Sequence, residues 1–210
     1  MRGYRTRPIQ YARGASGKQT AYLRAKPDGR KRLLLFSDSN ARNLVHPRVI
    51  FPSRSCQFAF SANCLPGADM LAGGRELRST PFPSIDYLVV ALGTNDVANY
   101  NGPSGSFLRN SHRVAVNFLE KCRKAYPDFK ILLAKILPQT GRHYLVHLAN
   151  VVLGTIASDA IVPLLDLDVG SSGEYWSDRL HLSDVGLKIY MKKLDRAVTK
   201  IIEKDETKVF

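Results

Sequence analysis

The chain has 210 residues, of which 44% are hydrophobic and 23% charged, and this is enough material for one α/β domain with a sizeable core. That hydrophobic content argues against wholesale disorder, and the longest apolar runs are far too short to cross a bilayer. The formal net charge is +13, and residues 1–32 hold ten Lys or Arg against one acid. The remainder holds 31 − 10 = 21 basic and 18 − 1 = 17 acidic residues, so the charge is concentrated at the N-terminus.

Residues 1–30 combine Gly, Arg, Lys and single tyrosines without an apolar period, which predicts a basic flexible arm before a domain over residues 31–205. Its cations, with Tyr4, Tyr11 and Tyr22 to stack on bases, make RNA or DNA a candidate partner. A solvated tail without a partner is one alternative. A mitochondrial transit segment is another, because the arm is Arg-rich and acid-poor, and no secretory signal is visible.

From Lys31 onward, short apolar runs alternate with helical patterns. The apolar runs predict strands at 33–36, 57–60, 87–91, 131–134 and 160–165. Helices are expected over 68–77, 107–126 and 144–158, with a last helix beginning near Ser183. Strands that alternate with helices predict a mostly parallel sheet with helices on both faces.

Three polar motifs follow predicted strands and therefore map to one edge of the sheet, where open parallel sheets bind ligands. Ser37-Asp38-Ser39-Asn40 follows the first strand, Gly67 the second, and Gly93-Thr94-Asn95-Asp96 the third. Ser39 lies where the chain turns from strand to helix, which exposes its hydroxyl at that edge and makes it a candidate nucleophile. Its alternative role is helix capping.

A serine hydroxyl needs a base, and Asp178-Arg179-Leu180-His181 supplies a candidate. His181 would take the proton, and Asp178, three residues earlier, would orient the imidazole. Acyl transfer also needs donors for the oxyanion, which Gly67 offers through its backbone N–H and Asn95 through its side-chain amide. Helix capping by Asp178 and an ordinary turn at Asn95 are the alternatives.

Other chemistries have weaker support. No Gly-x-Ser-x-Gly elbow occurs, and Gly17-Lys18 lacks the spacing of a phosphate-binding loop. His143 and His147 are four residues apart, but the glutamate of the zinc-protease motif is missing, so solvated histidines are favoured and neither a metal nor a cofactor is expected. The three cysteines, Cys56, Cys64 and Cys122, are interpreted as reduced thiols of a cytoplasmic or nuclear protein.

Residues 33–202 resemble the SGNH, or GDSL-like, hydrolase family. The resemblance rests on four blocks: Leu35-Phe36-Ser37-Asp38-Ser39-Asn40, Leu65-Pro66-Gly67-Ala68, Leu92-Gly93-Thr94-Asn95-Asp96 and Asp178-Arg179-Leu180-His181-Leu182-Ser183. It implies a three-layer αβα sandwich with a flavodoxin-like sheet. It also implies hydrolysis of small acyl esters without a metal or cofactor, with Ser39, His181 and Asp178 as the triad and Gly67 and Asn95 as the oxyanion hole.

Ser37 departs from the family pattern, which usually has glycine there. If the position required a positive φ, serine would strain the backbone or shift Ser39. Some retrotransposon first-reading-frame proteins carry an esterase domain of this type beside nucleic-acid-binding segments, and the Gly-Thr-Asn-Asp and Leu-Pro-Gly-Ala stretches resemble theirs. That resemblance keeps a second hypothesis open: a nucleic-acid-binding protein on a catalytically silent fold of this type.

Overall fold

The computed structural model describes residues 10–25, 28–45, 57–79, 85–178 and 180–207. These residues contain a seven-stranded sheet in the order β1-β2-β4-β3-β5-β6-β7. The strands are β1 (Gln10–Arg13), β2 (Gln19–Leu23), β3 (Lys31–Ser37), β4 (Phe58–Cys64), β5 (Tyr87–Ala91), β6 (Lys130–Ala134) and β7 (Leu164–Leu165). The five strands from β3 to β7 run parallel, which confirms the predicted α/β class.

Helices connect the parallel strands and lie on both faces of the sheet. They are α1 (Arg42–Val45), α2 (Met70–Ser79), α3 (Thr94–Ala98), α4 (Ser104–Ala125), α5 (His143–Asp159) and α6 (Asp184–Glu206), with short 3₁₀ turns at Ser39–Ala41 and Gly173–Tyr175. Helix α6 begins where the sequence predicted, because the Ser183 hydroxyl accepts the Gly186 N–H at 3.1 Å as an N-cap. Among the described residues, no helix is both long and apolar enough to cross a membrane.

The period of two along β3 divides the core into two layers. Leu33 and Leu35 point to one face, where they join Leu187, Tyr190 and other buried residues of α6. Leu34 and Phe36 point to the other face and join the apolar sides of α2, α4 and α5. All four β3 side chains are essentially inaccessible to solvent, so this strand is a rigid base for the polar turn that follows it.

The flexible arm predicted over residues 1–30 is wrong for residues 10–25. Strands β1 and β2 form an antiparallel hairpin, and β2 extends the sheet by pairing antiparallel with β4, with Ala21 opposite Cys64. Thr20, Ala21 and Tyr22 are buried, and the Tyr22 hydroxyl donates a hydrogen bond of 2.9 Å to Glu76, so this ring does not stack on bases. Residues 1–9, including Tyr4, lie outside the described residues.

The predicted strand at 160–165 shortens to Leu164–Leu165. Helix α5 continues to Asp159 with Ala160 as its C-cap, and Ile161 turns the chain with φ 53°. Positive φ is costly for a β-branched residue, but Ile161 is 91% exposed, so its side chain has no packing that would oppose the turn. The edge strand β7 is therefore left with two residues that pair with β6.

Candidate active site

The turn after β3 places Ser39 at the carboxyl edge of the sheet. Asp38 is the N-cap of the 3₁₀ turn, and its carboxylate accepts the Asn40 N–H at 3.0 Å. Burial raises the pKa of the Asp38 carboxyl, although hydrogen bonds from Thr94 and Asn40 oppose the shift. The predicted capping function therefore belongs to Asp38, which leaves the Ser39 hydroxyl available for another partner.

Ser37 does not strain this turn. It is the last residue of β3 and pairs with Cys64 and Ala91 on the two neighbouring strands. Among the described residues, Ile161 is the only non-glycine residue with a positive φ, so Ser37 keeps an ordinary strand conformation. A glycine is not required at this position, and the expected strain from its replacement does not occur.

Two consecutive hydrogen bonds link the side chains of Ser39, His181 and Asp178. Ser39 Oγ lies 2.9 Å from Nε2 of His181, and Nδ1 of the same ring lies 2.8 Å from Asp178 Oδ2. The second carboxylate oxygen, Oδ1, accepts the backbone N–H groups of Leu180 and His181, each at 2.7 Å. The structure thus brings together three side chains that the sequence places up to 142 residues apart.

The Asp178 carboxylate is held in its charged form by its partners. Partial desolvation raises the pKa of this carboxyl. The hydrogen bonds from the His181 ring and from the N–H groups of His181 and Leu180 lower the pKa by more than that, so the net shift is downward. An ionised carboxylate at Nδ1 favours the tautomer in which Nδ1 carries the proton. Nε2 then has a lone pair directed at Ser39.

Backbone pairing fixes the loop that carries His181. Trp176 and Leu182 form an antiparallel bridge, and the Ser177 N–H donates to the His181 carbonyl at 2.9 Å. Asn40 then joins this loop to the nucleophile turn, because its Oδ1 accepts the Leu182 N–H at 3.2 Å. Sequence reasoning missed Asn40 as a positioning residue, since its partner is 142 residues away and nothing local indicates it.

Gly67 lies in the loop between β4 and α2, Asn95 lies in the first turn of α3, and the two segments are hydrogen-bonded to each other. The Asn95 amide donates to the Ala68 carbonyl at 2.9 Å, and the Asp96 carboxylate accepts the Met70 N–H at 3.0 Å. Gly67 has φ +70°, a backbone conformation that a side chain rarely adopts. Both predicted oxyanion donors therefore belong to one hydrogen-bonded unit at the sheet edge.

Asp96 should make the stability of this unit dependent on pH. Burial raises the pKa of its carboxyl to about 6, the Asp69 charge adds to the shift, and the hydrogen bond from Met70 opposes it. Because the folded pKa lies above the ordinary value of 3.8, the folded state binds more protons between these values. The contribution of the Asp96 carboxyl to the free energy of unfolding is therefore fully present below about pH 4 and is lost as the pH rises through about 6.

We therefore expect Asp96→Asn to have a higher free energy of unfolding than the wild type at pH 8, and a much smaller difference from the wild type at pH 4. A pKa difference of this size corresponds to about 3 kcal/mol, and the amide oxygen can still accept the Met70 N–H. Urea unfolding of both proteins at the two pH values measures the change, with the exposed Asp159→Asn as the control. An equal pH dependence in wild type and Asp96→Asn would contradict the assignment.

No metal site is indicated in the described part of the chain, where no group of three His, Cys, Asp or Glu side chains could hold an ion. His143 and His147 are exposed on α5. Cys64 and Cys122 are buried free thiols whose pKa values are raised by burial, whereas Cys56 lies outside the described residues.

No protein-family model matches the chain, and no curated protein sequence does. Solved structures do match. A GDSL-like lipase from Bacteroides thetaiotaomicron has a TM-score of 0.64 at 17% identity, with 85% of this chain and 93% of that chain covered. A carbohydrate esterase family 3 protein from Talaromyces cellulolyticus has a TM-score of 0.60 at 18% identity, with 83% and 99% covered. An acetyl xylan esterase has a TM-score of 0.62 at 17% identity, with 80% and 99% covered.

The chain has the SGNH hydrolase fold. At these identities the similarity establishes the architecture, and the chemistry has to be argued from the side chains. In this SGNH fold the first three sequence blocks lie at the carboxyl ends of parallel strands, the third of them reaching into α3, and the last block directly precedes α6. The fold predicted from the sequence is thus confirmed, while the catalytic functions assigned to Ser39, His181, Asp178, Gly67 and Asn95 stay predictions.

Proposed function

We propose that this protein is a serine esterase or deacetylase that hydrolyses small acyl esters. The observation that carries the proposal is the hydrogen-bonded row from Ser39 through His181 to Asp178, with separations of 2.9 Å and 2.8 Å. Those separations suit a nucleophile, its general base and the residue that orients the base. The GDSL-like lipase, the carbohydrate esterase and the acetyl xylan esterase with the same fold agree with this class of reaction.

Ser39 Oγ attacks the acyl carbonyl carbon while His181 Nε2 takes its proton. The resulting imidazolium is stabilised by the Asp178 carboxylate and then donates its proton to the leaving alcohol oxygen as the C–O bond breaks. Water attacks the acyl-enzyme in the second half of the reaction, with His181 again as the base. The carboxylic acid is released and the Ser39 hydroxyl is restored.

The tetrahedral oxyanion needs donors that are already in place. The N–H groups of Ser39 and Gly67 and the side-chain amide of Asn95 serve this purpose in the proposal. One amide hydrogen of Asn95 is used by the Ala68 carbonyl, which fixes the rotamer. The second hydrogen is then available to the substrate. Each such donor typically contributes about 10²–10³-fold to the rate.

A fluorophosphonate probe tests the nucleophile directly. In an esterase of this kind, the serine oxygen bonds to phosphorus and fluoride leaves, so one stable adduct per chain forms on the activated hydroxyl. We expect mass spectrometry to locate the adduct on Ser39, and we expect labelling to be lost in His181→Ala, which keeps the hydroxyl but removes its base. Labelling of another residue, or none in the wild type, would contradict the proposal.

Nucleic-acid binding stays a separate prediction of the basic N-terminus. Because β1 and β2 belong to the sheet, the proposed arm is restricted to residues 1–9, which carry Arg2, Arg5 and Arg7. The division into an arm and an SGNH domain is accordingly proposed with its boundary near residue 10. The resemblance to the esterase domains of retrotransposon first-reading-frame proteins likewise stays a prediction.

A further inference from the structure

The hairpin that sequence reasoning missed brings a cation to the candidate active site. Because β2 runs antiparallel to β4, the start of β2 lies beside the end of β4, with Ala21 opposite Cys64. The turn before β2, residues 14–18, therefore lies beyond the carboxyl end of β4. This is the same edge that carries Ser39 and the Gly67 loop.

Several contacts fix this turn against the Gly67 loop and α2. The Ser16 hydroxyl donates to the Pro66 carbonyl at 3.2 Å, and the Ala15 N–H donates to Glu76 Oε2 at 2.7 Å. Glu76 is buried, and its other carboxylate oxygen accepts the Tyr22 hydroxyl. One side chain on α2 thus holds both the turn and the strand that follows it, so the turn is not a mobile tip.

Lys18 extends from this turn over Gly67. A Cβ atom added to Gly67 would lie 2.5 Å from Lys18 Nζ and 3.0 Å from Lys18 Cε. The ammonium therefore rests against the α-carbon of the residue whose N–H is the predicted oxyanion donor. Lys18 is solvent-exposed, and within the described residues its ammonium forms neither a hydrogen bond nor an ion pair.

We propose that the Lys18 ammonium determines specificity, by selecting esters that carry a carboxylate or phosphate close to the reacting carbonyl. A cation that has no counterion among the described residues, and that lies beside an oxyanion donor, attracts a negatively charged substrate without a salt bridge to break first. The ammonium is held by a clamped turn, so its position is set before the substrate arrives. This inference rests on the proposed esterase function, whose site it completes.

Matched ester pairs that differ in one negative charge provide the test. The first pair is 4-acetoxybenzoate and its neutral methyl ester, in which the alcohol differs. The second is mono(4-nitrophenyl) adipate and 4-nitrophenyl hexanoate, in which the acyl group differs. The measured quantity is the ratio of kcat/KM for the anionic ester to that for the neutral one, so intrinsic differences in ester reactivity cancel between variants.

Lys18→Met, which removes the charge and keeps the length, is expected to lower this ratio about three- to tenfold for at least one pair. Lys18→Arg should retain the ratio, and so should Lys200→Met, which removes an exposed charge from the C-terminal half of α6. In the wild type, raising the NaCl concentration from 0.05 to 0.5 M should reduce the ratio, because salt screens an exposed cation.

Two results would overturn the inference while leaving the esterase intact. Lys18→Met could leave the rates of all four esters unchanged, or it could lower the rates of anionic and neutral esters equally, and in both cases the ratios stay at their wild-type values. In the second case Lys18 would act on every oxyanion and would not select substrates. Both results require hydrolysis that depends on Ser39, so they are distinct from a failure of the proposed function.

Binding of an anionic ester to a variant that cannot hydrolyse it separates the two proposals further. In Ser39→Ala, 4-acetoxybenzoate should bind about three- to tenfold more tightly than in Ser39→Ala with Lys18→Met, as measured by calorimetry. If the wild type hydrolyses neither ester pair but this difference persists, the anion site stands and the esterase proposal fails. Equal affinities in the two variants, for mono(4-nitrophenyl) adipate as well as for 4-acetoxybenzoate, would overturn the anion site.

Discussion

Ser39→Ala is expected to reduce kcat for p-nitrophenyl acetate by about 10⁴-fold or more, with little change in KM. The hydroxyl is the atom that forms the new bond, and Oγ lies 2.9 Å from the nitrogen that would take its proton. Alanine removes that atom and leaves the backbone N–H groups of the turn in place. The methyl group fits the same space, so the fold should be unaffected.

Steady-state rates of p-nitrophenyl acetate hydrolysis by purified wild type and Ser39→Ala measure this effect, and thermal unfolding confirms that both proteins are folded. Ser158→Ala, on the exposed side of α5, is a matched control that removes a hydroxyl away from the site. His181→Ala should be as inactive as Ser39→Ala, and the double variant no worse, because the two groups act as one unit. Equal hydrolysis by wild type and Ser39→Ala would end the esterase proposal.

Asp178→Asn is expected to lower kcat by up to about 10⁴-fold through the tautomer of His181. The present carboxylate accepts two backbone N–H groups with Oδ1 and the ring Nδ1–H with Oδ2. An asparagine keeps its oxygen on the backbone donors, so its NH₂ group faces Nδ1. The ring then has to accept at Nδ1 and carry its proton on Nε2, where it can no longer take the Ser39 proton.

The thermal midpoint, measured together with the pH profile, distinguishes this mechanism from a loss of structure. Because the wrong tautomer cannot act as a base at any moderate pH, activity should stay low in Asp178→Asn between pH 6 and 9 while the thermal midpoint changes little. Asp168→Asn is the matched control, since Asp168 also accepts a backbone N–H two residues along the chain, at 2.9 Å from Gly170. Activity within threefold of wild type in Asp178→Asn would remove Asp178 from the proposed mechanism.

The order of the motifs along the chain was enough to predict that Ser39, Gly67 and Asn95 would share one edge of the sheet. Each follows a strand whose apolar run is readable locally, and parallel strands place their carboxyl ends together. The pairing of His181 with Asp178 was also predictable, because three residues separate them and one short turn brings them into contact.

Contacts between remote segments could not be derived in this way. Residues 10–25 have little apolar period, and they become strands because β4 offers an unpaired edge and Glu76 a buried partner for Tyr22. Asn40 reaches Leu182 for the same reason: the two segments meet when α6 packs on the sheet, and neither segment shows it alone.

The amino-acid sequence by itself determined the parallel α/β sheet, the strand ends that carry the polar motifs and the local Asp178–His181 pair, since strand runs, caps and short turns depend on neighbouring residues. Only the tertiary structure decided that Ser39 faces His181, that Ser37 is unstrained and that Lys18 lies over Gly67. Each of these depends on strand pairing and helix packing between segments that are distant in the chain, whose energies no local pattern encodes.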